Sequence, residues 1–394
     1  MTNEHKLPEP DDVAMAHSQR LRAVIEARIK AAKGIISFSE YMNIALYEPG
    51  LGYYMAGAAK FGAQGDFITA PEASPLFGQA LAVQIDEVLD AVGGSVLELG
   101  AGSGRLAQSI LGALCGGDFT QRADFRYFIL EPSAELAQRQ RQLLDASLPT
   151  DVVSRVEWLD ALPENFQGVI LANEVMDALP VERFHSSSQG LMQVCVGADL
   201  TEQPRPASDA LTKAIAAIEV DLGMPMAEGY QSEVCTLLAP WVHSVAGALT
   251  QGALLLIDYG YPRSEYYSAE RVTGTLSCYY RHRMHDDPFF MPGLQDITAH
   301  VDFTAVVEAA MACELELLGY ASQSAFLLDN ELLGLADTVR TGLESEMDRI
   351  ALAQQIKVLT LPGEMGERFQ IMALGKGYDR QLRGFRSQDL SYRL

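Results

Sequence analysis

The chain has 394 residues, 48% apolar and 21% charged, with mean hydropathy +0.04, enough to bury a sizeable core and to exclude wholesale disorder. Its 52 Asp and Glu outnumber 29 Lys and Arg, and the resulting net charge of −23 argues against DNA or RNA partners, which need a basic face. Cys115, Cys195, Cys235, Cys278 and Cys313 form no C-x-x-C pair, and neither a signal segment nor an apolar run of ~20 residues is present, so a soluble cytoplasmic protein is expected.

In chain order, residues 1–20 read as a frayed lead, Arg20 to Ala32 has helical spacing, and Ile35 to Tyr47 continues it with Ser37 and Ser39 as candidate caps. Glu48 to Pro75 is dense in Gly and Pro yet carries Tyr53, Tyr54, Phe61 and Phe67, which marks an ordered loop over a surface or site rather than a linker. Leu76 to Val92 is an amphipathic helix stopped by Gly93-Gly94. Short apolar runs then alternate with helical stretches: Val96–Gly100, Tyr127–Glu131, Val156–Leu159, Val169–Asn173 and Ala253–Tyr259. Continuous apolar strands separated by helices predict a parallel sheet covered on both faces. An insertion of roughly 80 residues precedes the fifth strand, with a strand pair near Leu191–Val196 and a helix at Ser232–Leu249. An aromatic, Arg/His-rich loop (Tyr261–Gln295), a helix at Asp302–Cys313, a strand at Leu315–Tyr320, further helices and a last strand at Phe369–Gly375 follow. The expected division is a cover region, 1–75, and an α/β core, 76–394, with insertions at about 186–250, 261–295 and 328–365.

The chemistry concentrates at strand ends. V-L-E-L-G-A-G-S-G-R (96–105) is a strand, a glycine turn and a helix start. Gly100, Gly102 and Gly104 let the backbone approach a ligand and expose helix N–H groups, although a ligand-free βα turn would look similar. Arg105 stands where the dinucleotide fingerprint wants Gly or Ala, and Glu98 lies inside the strand. E-x-G-x-G-x-G resembles the first motif of Rossmann-like S-adenosylmethionine (SAM) methyltransferases, where the carboxylate organises the turn around the amino-acid end of SAM. Glu131 ends the second strand, placed for ribose hydroxyls or, alternatively, for a helix dipole. Asp160 follows the third strand, where an adenine edge would be read. The fourth runs into Asn173-Glu174-Val175-Met176-Asp177, polar groups at a strand's carboxyl end that face a reacting centre, unless Asp177 merely caps a helix. His282, His285, Asp286 and Asp287 lack the partners and spacing of a metal site, so a substrate or lid loop is expected there and no metal. No G-x-S-x-G elbow supports a hydrolase.

The segments GDFITAPEASPLFGQA (65–80), ELGAGSGRLA (98–107), ILEPS (129–133), ANEVMDALPVERF (172–184), LLLIDYGY (254–261), GTLSCYYRHRMHDDPF (274–289) and DITAHVDFTAV (296–306) resemble the MidA-like family, over about residues 38–376. These are SAM-dependent protein-arginine methyltransferases related to a mitochondrial complex I assembly factor. The resemblance implies a seven-stranded, mostly parallel class I methyltransferase sheet, SAM as cofactor, and symmetric dimethylation of an arginine on a protein such as a respiratory NADH dehydrogenase subunit. It implies the mitochondrial matrix for eukaryotic relatives; a homodimer stays open. A protonated guanidinium needs carboxylates to orient it and take its proton. Glu174 and Asp177 with Asn173 are the candidates; the two carboxylates would share one side of a helical turn starting at 174. Asp66 or Glu72 would close over the SAM site. A small-molecule methyltransferase and an assembly scaffold with a vestigial SAM pocket are the alternatives.

Overall fold

The computed structural model describes residues 7–56, 69–115 and 124–394. Its contacts divide the chain into two compact units, each assembled from separated segments. One takes the described parts of Met1–Phe67 together with Asp177–Leu238 and Tyr261–Asp302; the other takes Ile68–Met176, Ala239–Gly260 and Phe303–Leu394. The grouping differs from the expected one, because most of the segments read as insertions in the core cluster with the amino-terminal region instead.

The second unit carries the sheet. Its strands are β1 (Ser95–Leu99), β2 (Tyr127–Leu130), β3 (Val156–Leu159), β4 (Phe166–Asn173), β5 (Leu249–Tyr261), β6 (Glu316–Ser322) and β7 (Phe369–Lys376), in spatial order β6-β7-β5-β4-β1-β2-β3. β5, β4, β1, β2 and β3 run parallel, and β7 lies antiparallel to both β5 and β6. This is the expected mostly parallel sheet, with each predicted strand present to within a few residues; one further two-residue strand off this path makes eight strands where seven were expected. The unbroken apolar runs have their reason in burial: Val169–Ala172, Ala253–Ile257 and Ile371–Leu374 are all nearly inaccessible. Where β4 and β5 begin, a Cβ on Gly252 would stand 1.8 Å from the Gly168 carbonyl oxygen, so only glycine fits. Helix α2 (Pro75–Val92) follows the short α1 (Ala70–Ala73), is capped by Ser74 and stops at Gly93 with φ +71°. Its face, Leu76, Phe77, Leu81, Ile85 and Val88, packs in one core with Leu106, Ile110 and Leu111 of α3 (Arg105–Leu114). Helix α4 (Ala134–Ser147) joins β2 to β3.

The first unit is built on a separate sheet, in which Ile35–Ser37, Gly190–Gly197, Glu182–Ser187 and Gln231–Val234 are neighbours and Glu202–Pro206 pairs with Gly190–Gly197. Its amino-terminal helix spans Asp12–Ala31, starting earlier than the spacing suggested because the Asp11 side chain caps it, accepting from the Ala14 amide at 2.8 Å. Ile35–Ser37 is a strand rather than part of the helical stretch, and Ser37, one of the two candidate caps, caps the helix Phe38–Tyr47. Likewise Ser232–Leu249 separates into the strand Gln231–Val234 and the helix Leu238–Ala248. The Arg/His-rich segment is ordered as a small three-stranded sheet of Ser277–Tyr280, Arg283–His285 and Asp296–Thr298. Among the described residues no helix is long and apolar enough to cross a membrane.

Candidate active site

The strand order of the second unit reverses between β4 and β1, and open α/β sheets bind ligands outside the carboxyl ends of strands at such a point. At the end of β1 the chain turns through Gly100, Gly102 and Gly104, with φ of +66°, +53° and +85°, and the last of these is the N-cap of α3. Side chains other than glycine enter that region at a cost, so the three glycines are needed by the turn itself. The turn delivers backbone amides at the start of a ten-residue helix. Glu72, on α1, grips it from outside: its carboxylate accepts from the Ser103 hydroxyl and, at 3.0 Å, from Arg105 Nε. The Glu72 side chain is only 9% exposed, so it holds the turn instead of standing free as a lid. Asp66, with Phe61 and Phe67, lies outside the described residues.

Two carboxylates are buried beneath the turn. Glu98, 2% exposed, accepts from the Tyr127 hydroxyl at 2.8 Å, yet burial, reinforced by the charge of Glu131, pushes its pKa up to about 7. Glu131, 8% exposed and directly beyond β2, accepts from the Ser133 amide at 3.0 Å and from Gln140 Nε2 at 3.0 Å. Burial raises its pKa as well, opposed by the Ser133, Gln140 and Gly102 hydrogen bonds. Asp160 is exposed at the end of β3. Gln140, unnoticed in the sequence, is fully buried on α4: it donates to the Gly102 carbonyl at 2.9 Å and accepts from Trp158 Nε1 at 2.9 Å. A glutamine in an amphipathic helix gives no sequence signal of this, because its partners lie 38, 9 and 18 positions away.

At the end of β4, Asn173 is in register with Ile257 of β5, and the Glu174 amide donates to the Ile257 carbonyl at 2.9 Å. Asn173 Nδ2 donates to Glu174 Oε1 at 3.2 Å, while the buried Asn173 Oδ1 has no hydrogen-bond partner among the described residues. Glu174 is half-buried and has φ +52°, a left-handed conformation rare for a side chain of this size. The segment from 174 onward is a bend and not the start of a helix, so the expected helical turn carrying Glu174 and Asp177 on one side is absent. Asp258, missed in the sequence although inside the quoted LLLIDYGY, is fully buried; it accepts from the Met176 amide at 3.0 Å and fixes this bend.

Asp177 falls in the other unit, 5% exposed, and its backbone carbonyl accepts from the Ala299 amide at 3.0 Å. Tyr47 and Tyr54 stack in that unit with centroids 5.6 Å apart, and the Tyr54 hydroxyl reaches both oxygens of buried Asp296 at 2.9 Å. Burial, then the charges of Asp296 and Asp177, raise the pKa of both tyrosines. His285 sits on a strand opposite Cys278, and burial lowers its pKa.

Residues 80–321 match the model of a family described as S-adenosyl-L-methionine-dependent methyltransferases. The chain is 30% identical over 374 residues to the mitochondrial protein arginine methyltransferase NDUFAF7 of Danio rerio, covering 87% of this chain and 84% of that one. It is 29% identical to the Homo sapiens counterpart, covering 86% and 80%. A Burkholderia thailandensis protein crystallised with S-adenosyl-homocysteine superposes with a TM-score of 0.90 at 40% identity, covering 99% of this chain and all of that one. The chain therefore belongs to this methyltransferase family and is a SAM-dependent enzyme of the class I fold.

Proposed function

We propose that this methyltransferase modifies an arginine of a protein substrate in the cytoplasm, with symmetric dimethylation of a respiratory NADH dehydrogenase subunit as the specific reaction. Relatives aligned over most of their length and named protein arginine methyltransferases support the substrate class. The observation that carries the reading is Glu174, a half-buried carboxylate held at a left-handed φ just beyond a central strand. Such strain costs on the order of 1 kcal/mol or more and persists where function requires a side chain to be aimed.

The residues present fit SAM: a turn of three left-handed glycines opening a helix, with two buried carboxylates, Glu98 and Glu131, at the ends of the adjoining strands. In this reading the amides of 100–105 take the amino-acid carboxylate, Glu98 balances the ammonium, Glu131 accepts from the ribose hydroxyls and Asp160 meets the adenine edge. When bound, SAM supplies an electrophilic methyl on a sulfonium. The protein's part is positioning. Glu174, steadied by the Asn173 amide, orients the guanidinium and lowers the cost of taking it out of water. An arginine, with pKa above about 12, sheds a proton as it is methylated, and Glu174 is the group placed to accept it.

The test is incubation of host lysate with the enzyme and methyl-labelled SAM, followed by mass spectrometry of peptides. Label on arginine, lost with Glu174→Gln, is the expected result. Label confined to small molecules would overturn the protein-arginine reading.

A further inference from the structure

Gln140 is fully buried, and three groups around it admit only one orientation of its amide. The Gly102 carbonyl and the Glu131 carboxylate can only accept, whereas the Trp158 indole N–H can only donate. Both amide hydrogens therefore point at the first two, at 2.9 and 3.0 Å, and the amide oxygen at the third, at 2.9 Å. One side chain thus ties the glycine turn after β1 to the carboxylate after β2 and to β3. Next to it, the Cβ that a larger residue would bring at Gly104 stands 3.2 Å from the Gln140 side chain, so the packing leaves little room to move. Glu131 is then held at both oxygens, Oε1 by the Ser133 amide and Oε2 by Gln140, which fixes the plane of the carboxylate.

We infer that Gln140 is a positioning residue for SAM, aligning Glu131 with the ribose and locking the glycine turn through Gly102. The inference rests on the assignment of Glu131 to the ribose. No residue type other than glutamine or asparagine offers two hydrogens and an acceptor on one planar group, and asparagine is one methylene too short to span the same three partners.

The experiment is a double-mutant cycle in SAM affinity, measured by calorimetry on the whole enzyme. Glu131→Ala and Gln140→Leu should each weaken SAM about tenfold or more. If Gln140 acts through Glu131, the double variant loses less than the product of the two single effects. Losses that multiply, or a Gln140→Leu variant with wild-type affinity, would overturn the inference. An unchanged affinity in Glu131→Ala would instead overturn the ribose assignment beneath it.

Gln140→Glu keeps the shape and provides a second, independent reading if the leucine variant fails to fold. It sets two carboxylates at hydrogen-bond distance, where they must share a proton. The ratio of variant to wild-type dissociation constants should then exceed about tenfold at pH 8.5 and shrink at least threefold by pH 5.5. A ratio independent of pH would mean that Gln140 only fills space.

Discussion

Glu98 gives the sharpest quantitative expectation, because a buried acid with a pKa near 7 leaves a signature in both stability and ligand binding. The side chain is 2% exposed and accepts a hydrogen bond from the Tyr127 hydroxyl, and burial is the main cause of its shift from 4.5 to about 7. The folded protein therefore keeps this proton in a window, pH 4.5 to 7, in which the unfolded chain has released it. The contribution of Glu98 to stability falls as pH rises through that window, by about 3 kcal/mol in all, and is flat above it. Replacing Glu98 by Gln removes the titration. In thermal unfolding of the ligand-free protein, the variant should match or fall slightly below wild type at pH 5. At pH 8 it should unfold several degrees higher, since about 2–4 °C per kcal/mol is usual for units of 150–250 residues. If Glu98 balances the ammonium as proposed, SAM binding should move the opposite way, with the variant weaker by about tenfold or more at pH 8. That advantage of the wild type should fade below pH 7 as Glu98 protonates. A variant with the same pH dependence of unfolding as wild type, or one less stable at pH 8, would refute the argument that burial costs the charged form.

Three further outcomes follow from the geometry of the same strand ends. Gly102→Val places a β-branched residue at φ +53° and should abolish SAM binding in a protein that still folds, checked by calorimetry beside circular dichroism. Glu72→Ala frees Ser103 and Arg105 from their shared carboxylate, so SAM affinity should drop about tenfold; an affinity equal to wild type would show that the turn holds itself. Glu174→Gln keeps the shape of the side chain, so SAM affinity should stay near wild type while methylation of an arginine peptide falls at least about 100-fold, or about 2.7 kcal/mol; a wild-type rate would end the guanidinium assignment.

What the sequence disclosed was governed by the range of the interactions. The strands were legible because burial on both faces writes continuous apolar runs, and the turn because three closely spaced glycines all take left-handed φ. Glu98 and Glu131 could be singled out because they sit beside these landmarks. Gln140 and Asp258 act through partners far away in the chain, which leaves no mark in local pattern. Glu72 reads in sequence as a carboxylate free to close over the SAM site, since nothing near it in the chain shows that Ser103 and Arg105 occupy it. The helical pairing of Glu174 with Asp177 failed for a local reason, the left-handed φ of Glu174, which prevents a right-handed helix from starting there. The helix predicted over Ser232–Leu249 is shortened to Leu238–Ala248 because Gln231–Val234 finds a strand partner in Glu182–Ser187, a tertiary pairing that outweighs propensity.

The position of β7 bears on how the protein comes into being. The strand latest in the chain is not at the rim of the sheet but between β5 and β6, hydrogen-bonded on both sides. Until residue 369 has left the ribosome, β5 and β6 each present an open row of amides and carbonyls to their surroundings. The sheet cannot close progressively behind the emerging chain, and the gap is filled in one late, long-range step. A message truncated even shortly before Phe369 should therefore give not a slightly shortened enzyme but a nascent chain with two sticky edges, a substrate for chaperones and proteases.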